Sequence, residues 1–237
     1  MTVKIGKVKN LNNIVDEWDA VAAIREEQIS SGKDNSANCV LAPAILNSLK
    51  YVDSIIDIGC GTGWLTERAS VFAVETVGVD PSSESIEMAK ARHSAPRISY
   101  FAESIEEHSK STEKYDLGIS NMVASSAPDL SEYFVSTRRV LKEGALFIFS
   151  IPHPCFWSIY WGYGSDPDFN YMETLAVESK FRIQEEIVEF PTTHFHRPVY
   201  RYISELLASN FKIESVDELM GKGFDLPRFM LINARAV

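Results

Sequence analysis

The segment Asp57-Ile58-Gly59-Cys60-Gly61-Thr62-Gly63 constrains this chain more than any other. An apolar run, Ser54–Ile58, ends in it, and a helical pattern follows from Trp64. Glycines on alternate positions let the backbone turn sharply and come close to a ligand. A helix opening directly after them offers free N–H groups to an anion or a nucleotide. A strand, such a turn and a helix form the first unit of a nucleotide-binding α/β sheet.

The rest of the chain repeats that unit. Val74–Val79, Ile98–Ala102, Tyr115–Ser120 and Ala145–Ile151 read as further strands, apolar at most positions. Such runs fit strands buried on both faces of a parallel sheet. Helices are expected over 83–92, capped by Ser83, and over 129–142, stopped by Gly144. A helix over 199–209 and strands over 212–217 and 228–236 complete the pattern. The alternation predicts a Rossmann-like, doubly wound α/β fold with a seven-stranded, mostly parallel sheet.

Two stretches lie outside the repeat. An amphipathic helix over 13–31 and a second through Val40–Leu49, with Pro43 in its first turn, form an N-terminal helical cap. Residues 152–198 are rich in aromatics and turn formers, with one or two exposed strands within 179–195. They read as a lid or hairpin inserted after the fifth strand. The expected organisation is one domain over 1–237: cap 1–50, cofactor-binding core 51–151, insertion or substrate lid 152–198, and C-terminal helix and strands 199–237. A length of 237 residues suits one such domain.

The formal net charge of −10 comes without any dense run of Lys and Arg, so nucleic acid is not an expected partner. No apolar run is long enough to span a bilayer, and the basic amino terminus lacks the apolar stretch of a secretion signal. Cys39, Cys60 and Cys155 are odd in number and far apart, which suits reduced thiols in a cytoplasmic protein.

The glycine spacing separates two ligand classes. The dinucleotide fingerprint G-x-G-x-x-G/A needs a small residue where this chain has Trp64. An acidic residue followed by x-G-x-G-x-G instead resembles the first motif of class I S-adenosylmethionine-dependent methyltransferases, and residues 57–63 match it in full. That resemblance implies S-adenosylmethionine as cofactor and S-adenosylhomocysteine as product. It implies that Asp57, Gly59, Cys60, Gly61 and Gly63 form the turn around the cofactor. Asp80, 21 residues after Gly59, would accept the ribose hydroxyls with Pro81 and Ser82 beside it; an Asp-Pro-Ser turn is the alternative. Glu103, Ser104 and Ile105 would meet the adenine, and Asn121 and Met122 the methionine half.

Later segments carry a second resemblance. Ser120-Asn121-Met122-Val123, Pro128-Asp129-Leu130, Ser150-Ile151-Pro152-His153-Pro154-Cys155-Phe156 and Phe195-His196-Arg197-Pro198 are similar to a group of bacterial small-molecule methyltransferases of the ubiquinone/menaquinone-like type. The likeness runs over roughly residues 15–236 and implies a small-molecule acceptor. Residues 121–124 are not the N/D-P-P-Y/F of methyltransferases acting on nucleic-acid amino groups. Pro154-Cys155 follows the fifth strand, whereas the Pro-Cys pair of RNA cytosine methyltransferases follows the fourth.

Candidates for the acceptor side come from the insertion. His153, just beyond the fifth strand, is either a general base or a packed histidine bonded to backbone. His194 and His196 fall on one side of an extended segment. No third ligand accompanies them, so no metal is expected. His196 with Arg197 could hold a substrate carboxylate or close the lid. Phe156, Trp157 and Tyr160, with Trp161 and Tyr163, would wall an acceptor pocket or form a core for the insertion. Trp18-Asp19 resembles the aromatic-acid pair with which relatives fold a cap over the cofactor. His93 and His108 are expected in solvent. Two other functions fit the turn: a non-catalytic S-adenosylmethionine-binding regulator, and an NAD(P)-dependent oxidoreductase.

Overall fold

A computed structural model describes residues 4–6, 9–183 and 186–237. A short strand β1 (Lys4–Gly6) precedes helix α1 (Leu11–Ser30), a π-helical turn (Ser36–Leu41) and α2 (Ala42–Ser48). The core runs β2 (Val52–Ile58), α3 (Trp64–Ala69), β3 (Ala73–Val79), α4 (Ser83–Arg92), β4 (Ile98–Phe101), α5 (Ile105–His108), β5 (Tyr115–Asn121), α6 (Leu130–Val140) and β6 (Leu141–Pro152). Helix α7 (Trp157–Trp161), β7 (Leu175–Ile183) and β8 (Glu186–His196) follow, then α8 (Val199–Ala208), β9 (Phe211–Met220) and β10 (Pro227–Ala236).

Seven strands form one sheet in the order β4-β3-β2-β5-β6-β10-β9. β10 is antiparallel to both its neighbours, while the other pairings are parallel. Ile55, Ile56, Asp57 and Ile58 of β2 are all buried, as a strand covered by helices on both faces must be. After β4 the chain crosses to β5, so the winding reverses between β2 and β5. Ligands of open α/β sheets bind at that switch point, beyond the carboxyl ends of the strands.

The insertion is a second sheet of three strands, β1-β7-β8. β1 pairs with Ala176–Glu178, an unexpected strand within the helical cap. The hairpin expected to be exposed over 179–195 is exposed only in part: Phe190 faces solvent, while Phe181, Thr193 and Phe195, with Leu175 and Val177 before them, are buried. The turn at 184–185 lies outside the described residues. Lys9 joins cap to hairpin, donating to Glu17, to Glu178 Oε2 at 2.8 Å and to Thr193 Oγ1 at 2.7 Å.

Local chemistry moves several expected boundaries. Ser82, not Ser83, caps α4, accepting the Ser85 N–H at 3.1 Å. Asp129 caps α6, which stops at Val140 because Leu141 is extended and pairs with Tyr115. Gly144 (φ +76°) therefore lies inside β6 and is not the helix stop. His93 and His108 are buried between partners and not solvated. Among the described residues no helix is long and apolar enough to cross a membrane.

Candidate functional site

A cavity of about 340 Å³ opens at the switch point, within the roughly 300–1,000 Å³ of small-molecule sites. One side is built by the ends of β2 and β3, with Asp57, Gly59, Gly61 and Asp80. The other lies beyond β6 and β10, with Trp157, Trp161, His194, Arg228 and Phe229. Helix α1 and the hairpin roof it through Ile14, Trp18, Phe181 and Thr193. Trp18 and Phe181 meet edge to face at 6.0 Å.

The three glycines of the turn have left-handed φ, at +70°, +53° and +85°, and serve different purposes. A Cβ on Gly59 would lie 2.3 Å from Val123 Cγ2, and one on Gly63 2.6 Å from the Tyr100 hydroxyl. Those two are spaces closed by packing. A Cβ on Gly61 would meet nothing within 4 Å. Gly61 is thus the position where bare backbone borders the cavity, as a ligand cradle requires.

Two carboxylates stand behind the cradle. Asp57 is fully buried and accepts from Thr66 Oγ1 at 2.6 Å. Burial lifts its pKa to about 7, with the Thr66 hydroxyl opposing and Asp80 adding repulsion. Asp80 accepts the Ser82 N–H on Oδ1 and the Gly61 N–H on Oδ2, both at 2.9 Å. Its pKa is raised to about 6 by desolvation, against the pull of those two N–H groups. Cys60 is buried at the cavity wall, where desolvation pushes its thiol pKa up.

Pro81, Ser104, Ile105, Asn121 and Met122 also line the cavity. Met122 is held at φ +68°, a conformation disfavoured for a side chain with a Cβ. Its N–H donates to Ser150 O at 3.0 Å and Ser150 Oγ at 3.1 Å, and that hydroxyl donates to Asn121 Oδ1 at 2.7 Å. Gly63 and Ser82 stand behind the wall; Ser82 Oγ ties α4 to Asp19 of the cap. Glu103 also lies outside the lining, its Oε1 2.9 Å from His108 Nδ1, while Glu106 reaches the wall.

On the acceptor side the geometry redistributes the expected residues. His153 is buried away from the cavity. Its Nδ1 accepts the Cys155 N–H at 3.3 Å and its Nε2 is 2.7 Å from Glu218 Oε1. Both ring nitrogens are engaged, so the base role expected of His153 gives way to its packed alternative. His196 is buried too, with Nε2 3.1 Å from Tyr171 O. Arg197 spends its guanidinium on main chain, donating to Ala124 O, Ala127 O and Pro128 O at 3.2, 2.5 and 3.0 Å. It latches the loop after β5 and does not face a substrate carboxylate. Trp157 lines the cavity, but Phe156 and Tyr160 do not: Phe156 stacks on His153, and the Tyr160 hydroxyl donates to Leu226 O at 2.6 Å.

The histidine facing the cavity is His194. It sits against Trp161 and Tyr163, with ring centroids 5.2 and 5.7 Å away. Burial drives its pKa down to about 3. Both His194 and His196 approach the Tyr163 hydroxyl, so they share a face of β8. Strand alternation indicated that shared face; it could not indicate which of the two meets the cavity.

Residues 55–144 match the family described as Methyltransferase domain. A curated relative, the mitochondrial ubiquinone biosynthesis O-methyltransferase of Homo sapiens, is 30% identical over 169 residues, covering 63% of this chain and 44% of the relative. The chain spans less than half the length of the first curated relatives it matches. Among solved structures, an S-adenosylmethionine-dependent methyltransferase from Clostridium acetobutylicum superposes with a TM-score of 0.60 at 21% identity, covering 92% of this chain and 98% of that one. The N-methyltransferase NodS from Bradyrhizobium japonicum, in complex with S-adenosyl-L-homocysteine, gives 0.58 at 17% identity, covering 81% and 84%. Residues 55–144 thus carry the likeness to a methyltransferase domain, and the fold is the one shared with the S-adenosylmethionine-dependent methyltransferases on which the chain superposes.

Proposed function

We propose that the chain transfers a methyl group from S-adenosylmethionine to the oxygen or nitrogen of a small-molecule acceptor. One observation carries the reading. The glycine cradle with Asp80 and the aromatic wall of Trp157, Trp161 and Phe229 line a single roofed cavity. When bound, S-adenosylmethionine supplies an electrophilic methyl carbon.

The chain's own residues do the rest. Asp80 would take the ribose hydroxyls, the backbone at Gly59 and Gly61 would border the methionine half, and Ser104 and Ile105 would flank the adenine. The aromatic wall excludes water and orients the acceptor, and orientation contributes about 7–11 kcal/mol to such reactions. His194 is neutral at physiological pH and stands at the wall. With so low a pKa it is a weak base, and it serves as a neutral polar group of the wall that can hydrogen-bond and orient the acceptor. Oxygen is favoured as the methylated atom by the curated relatives, which are O-methyltransferases.

Calorimetry with S-adenosylhomocysteine and with NAD tests the cofactor. The former should bind and the latter should give no heat; the reverse would overturn the reading. Incubation with methyl-labelled S-adenosylmethionine and a bacterial small-molecule extract tests the reaction. Label should move to a low-molecular-weight product. Binding without any transfer would favour the non-catalytic regulator.

A further inference from the structure

Two guanidinium groups line the cavity, those of Arg25 and Arg228, and nothing in the proposed cofactor site uses either. Arg228, at the start of β10, lines its acceptor side. Among the described residues it has no carboxylate within 4.0 Å, unlike Arg25, whose Nη1 is 2.5 Å from Asp34 Oδ2. Its one hydrogen bond is a long one, Nη1 to Ser36 Oγ at 3.4 Å. Its Nε is buried without a partner. Burying a cation normally demands pairing, because desolvation costs several kcal/mol per ion.

What surrounds Arg228 instead is aromatic. Its guanidinium carbon lies 4.2 Å from the Phe224 ring centroid, 5.2 Å from Trp157, 5.3 Å from Phe229 and 5.7 Å from Tyr160. Ring faces hold a cation in place while leaving its N–H groups free. The backbone is shaped for the side chain as well. A Cβ on Gly221 would fall 2.5 Å from Arg228 Cδ and 2.9 Å from Phe224 Cδ2. Ser36, its hydrogen-bond partner, opens the π-helical turn, an irregularity often found at functional sites.

Charge along the cavity divides accordingly. Asp57, Asp80 and Glu106 lie on the cofactor side, suited to a sulfonium and an ammonium. On the acceptor side Asp34 pairs with Arg25 and acts on Arg228 only from beyond 4.0 Å, and His194 is neutral, which leaves Arg228 without an ion pair among the described residues. A planar guanidinium fork with open N–H groups fits a carboxylate, which it can grip bidentately. Trp157, Trp161 and Phe229 beside it fit a flat ring.

We propose that Arg228 is the specificity-determining residue of the acceptor site and that the acceptor is a small aromatic carboxylate. The inference rests on the methyltransferase reading for its location. The protein is first saturated with S-adenosylhomocysteine, then titrated calorimetrically with benzoate, cinnamate and 2-naphthoate and with the neutral amide of each. At least one acid should bind tenfold or more tighter than its amide. Arg228→Gln should abolish that preference and Arg228→Lys should keep part of it, both with S-adenosylhomocysteine affinity unchanged. Gly221→Ala, which displaces the side chain and keeps its charge, should also reduce the preference. Equal affinity for acid and amide, no binding of either, or a preference surviving in Arg228→Gln would overturn the proposal. Failure of S-adenosylhomocysteine to bind would instead overturn the methyltransferase reading.

Discussion

The Asp80 carboxylate accepts the backbone N–H of Gly61 at 2.9 Å and so braces the turn that borders the cavity. Its other oxygen is held by the Ser82 N–H, which fixes the plane of the group. Asp80→Ala should weaken S-adenosylhomocysteine by about 10- to 100-fold, since hydrogen bonds to charged groups contribute roughly 1.5–3 kcal/mol. Asp80→Asn keeps an acceptor but loses the charge, so its loss should be smaller. Calorimetry decides, and unchanged affinity in both variants would remove Asp80 from the site.

Asp57 gives a prediction about stability without ligand. Its carboxyl titrates near pH 7 in the folded protein, against the usual 3.8. The folded state therefore holds a proton that the unfolded chain has already released. That contribution to stability is fully present below about pH 4 and is lost as pH rises through 7. Asp57→Asn removes the titration and can still accept from Thr66. The variant should melt above the wild type at pH 8, and the gap should shrink towards pH 4.5. A constant gap across that range would show that the carboxyl is ionised throughout.

Gly59 and Gly61 should fail in different ways. Alanine at Gly59 adds a methyl 2.3 Å from Val123 Cγ2 at a left-handed φ, so the protein should lose several kcal/mol or not fold. Alanine at Gly61 meets open space and carries mainly the backbone penalty, about 1–2 kcal/mol. Gly61→Ala should fold and yet lose affinity for S-adenosylhomocysteine, because its methyl enters the cavity. Urea denaturation beside calorimetry separates the two effects.

Arg197 should behave as a structural latch. Arg197→Met would strip donors from the carbonyls of Ala124, Ala127 and Pro128. Each orphaned buried acceptor costs about 1–3 kcal/mol. Arg197→Lys should recover little, since an ammonium cannot reproduce the planar fork. Denaturation midpoints should fall in both, and a variant as stable as the wild type would contradict the latch.

The parallel strands of the large sheet were legible because they are compact apolar runs closed by turn chemistry. The glycine turn at the cavity was legible because its spacing, with Trp64 after Gly63, has few structural uses. β1 was not, since three residues pairing with Glu178, Val177 and Ala176 leave no local pattern. His153 and His194 show a different limit. Position after a strand suggested His153, but the orientation of a side chain depends on partners distant in sequence, here Glu218 and Tyr163. Arg228 gave no signal: its aromatic enclosure draws on residues 157, 160, 224 and 229, which only the fold brings together.

His194 is the remaining test of the acceptor side. Burial among aromatic rings, with His196 and Arg197 adding repulsion, holds its pKa near 3. Its nitrogen resonances should therefore stay those of a neutral imidazole from pH 8 down to pH 4, whereas an ordinary histidine charges near 6.5. With an acceptor from the labelling experiment, His194→Gln should raise the acceptor KM and lower kcat by less than about tenfold, because a group that charges near pH 3 is too weak for the hundredfold or more of a general base. The KM for S-adenosylmethionine should not move, and the wild-type kcat should show no histidine inflection between pH 5.5 and 8. A fall in kcat of a hundredfold or more at constant acceptor KM would instead make His194 the base that removes the proton.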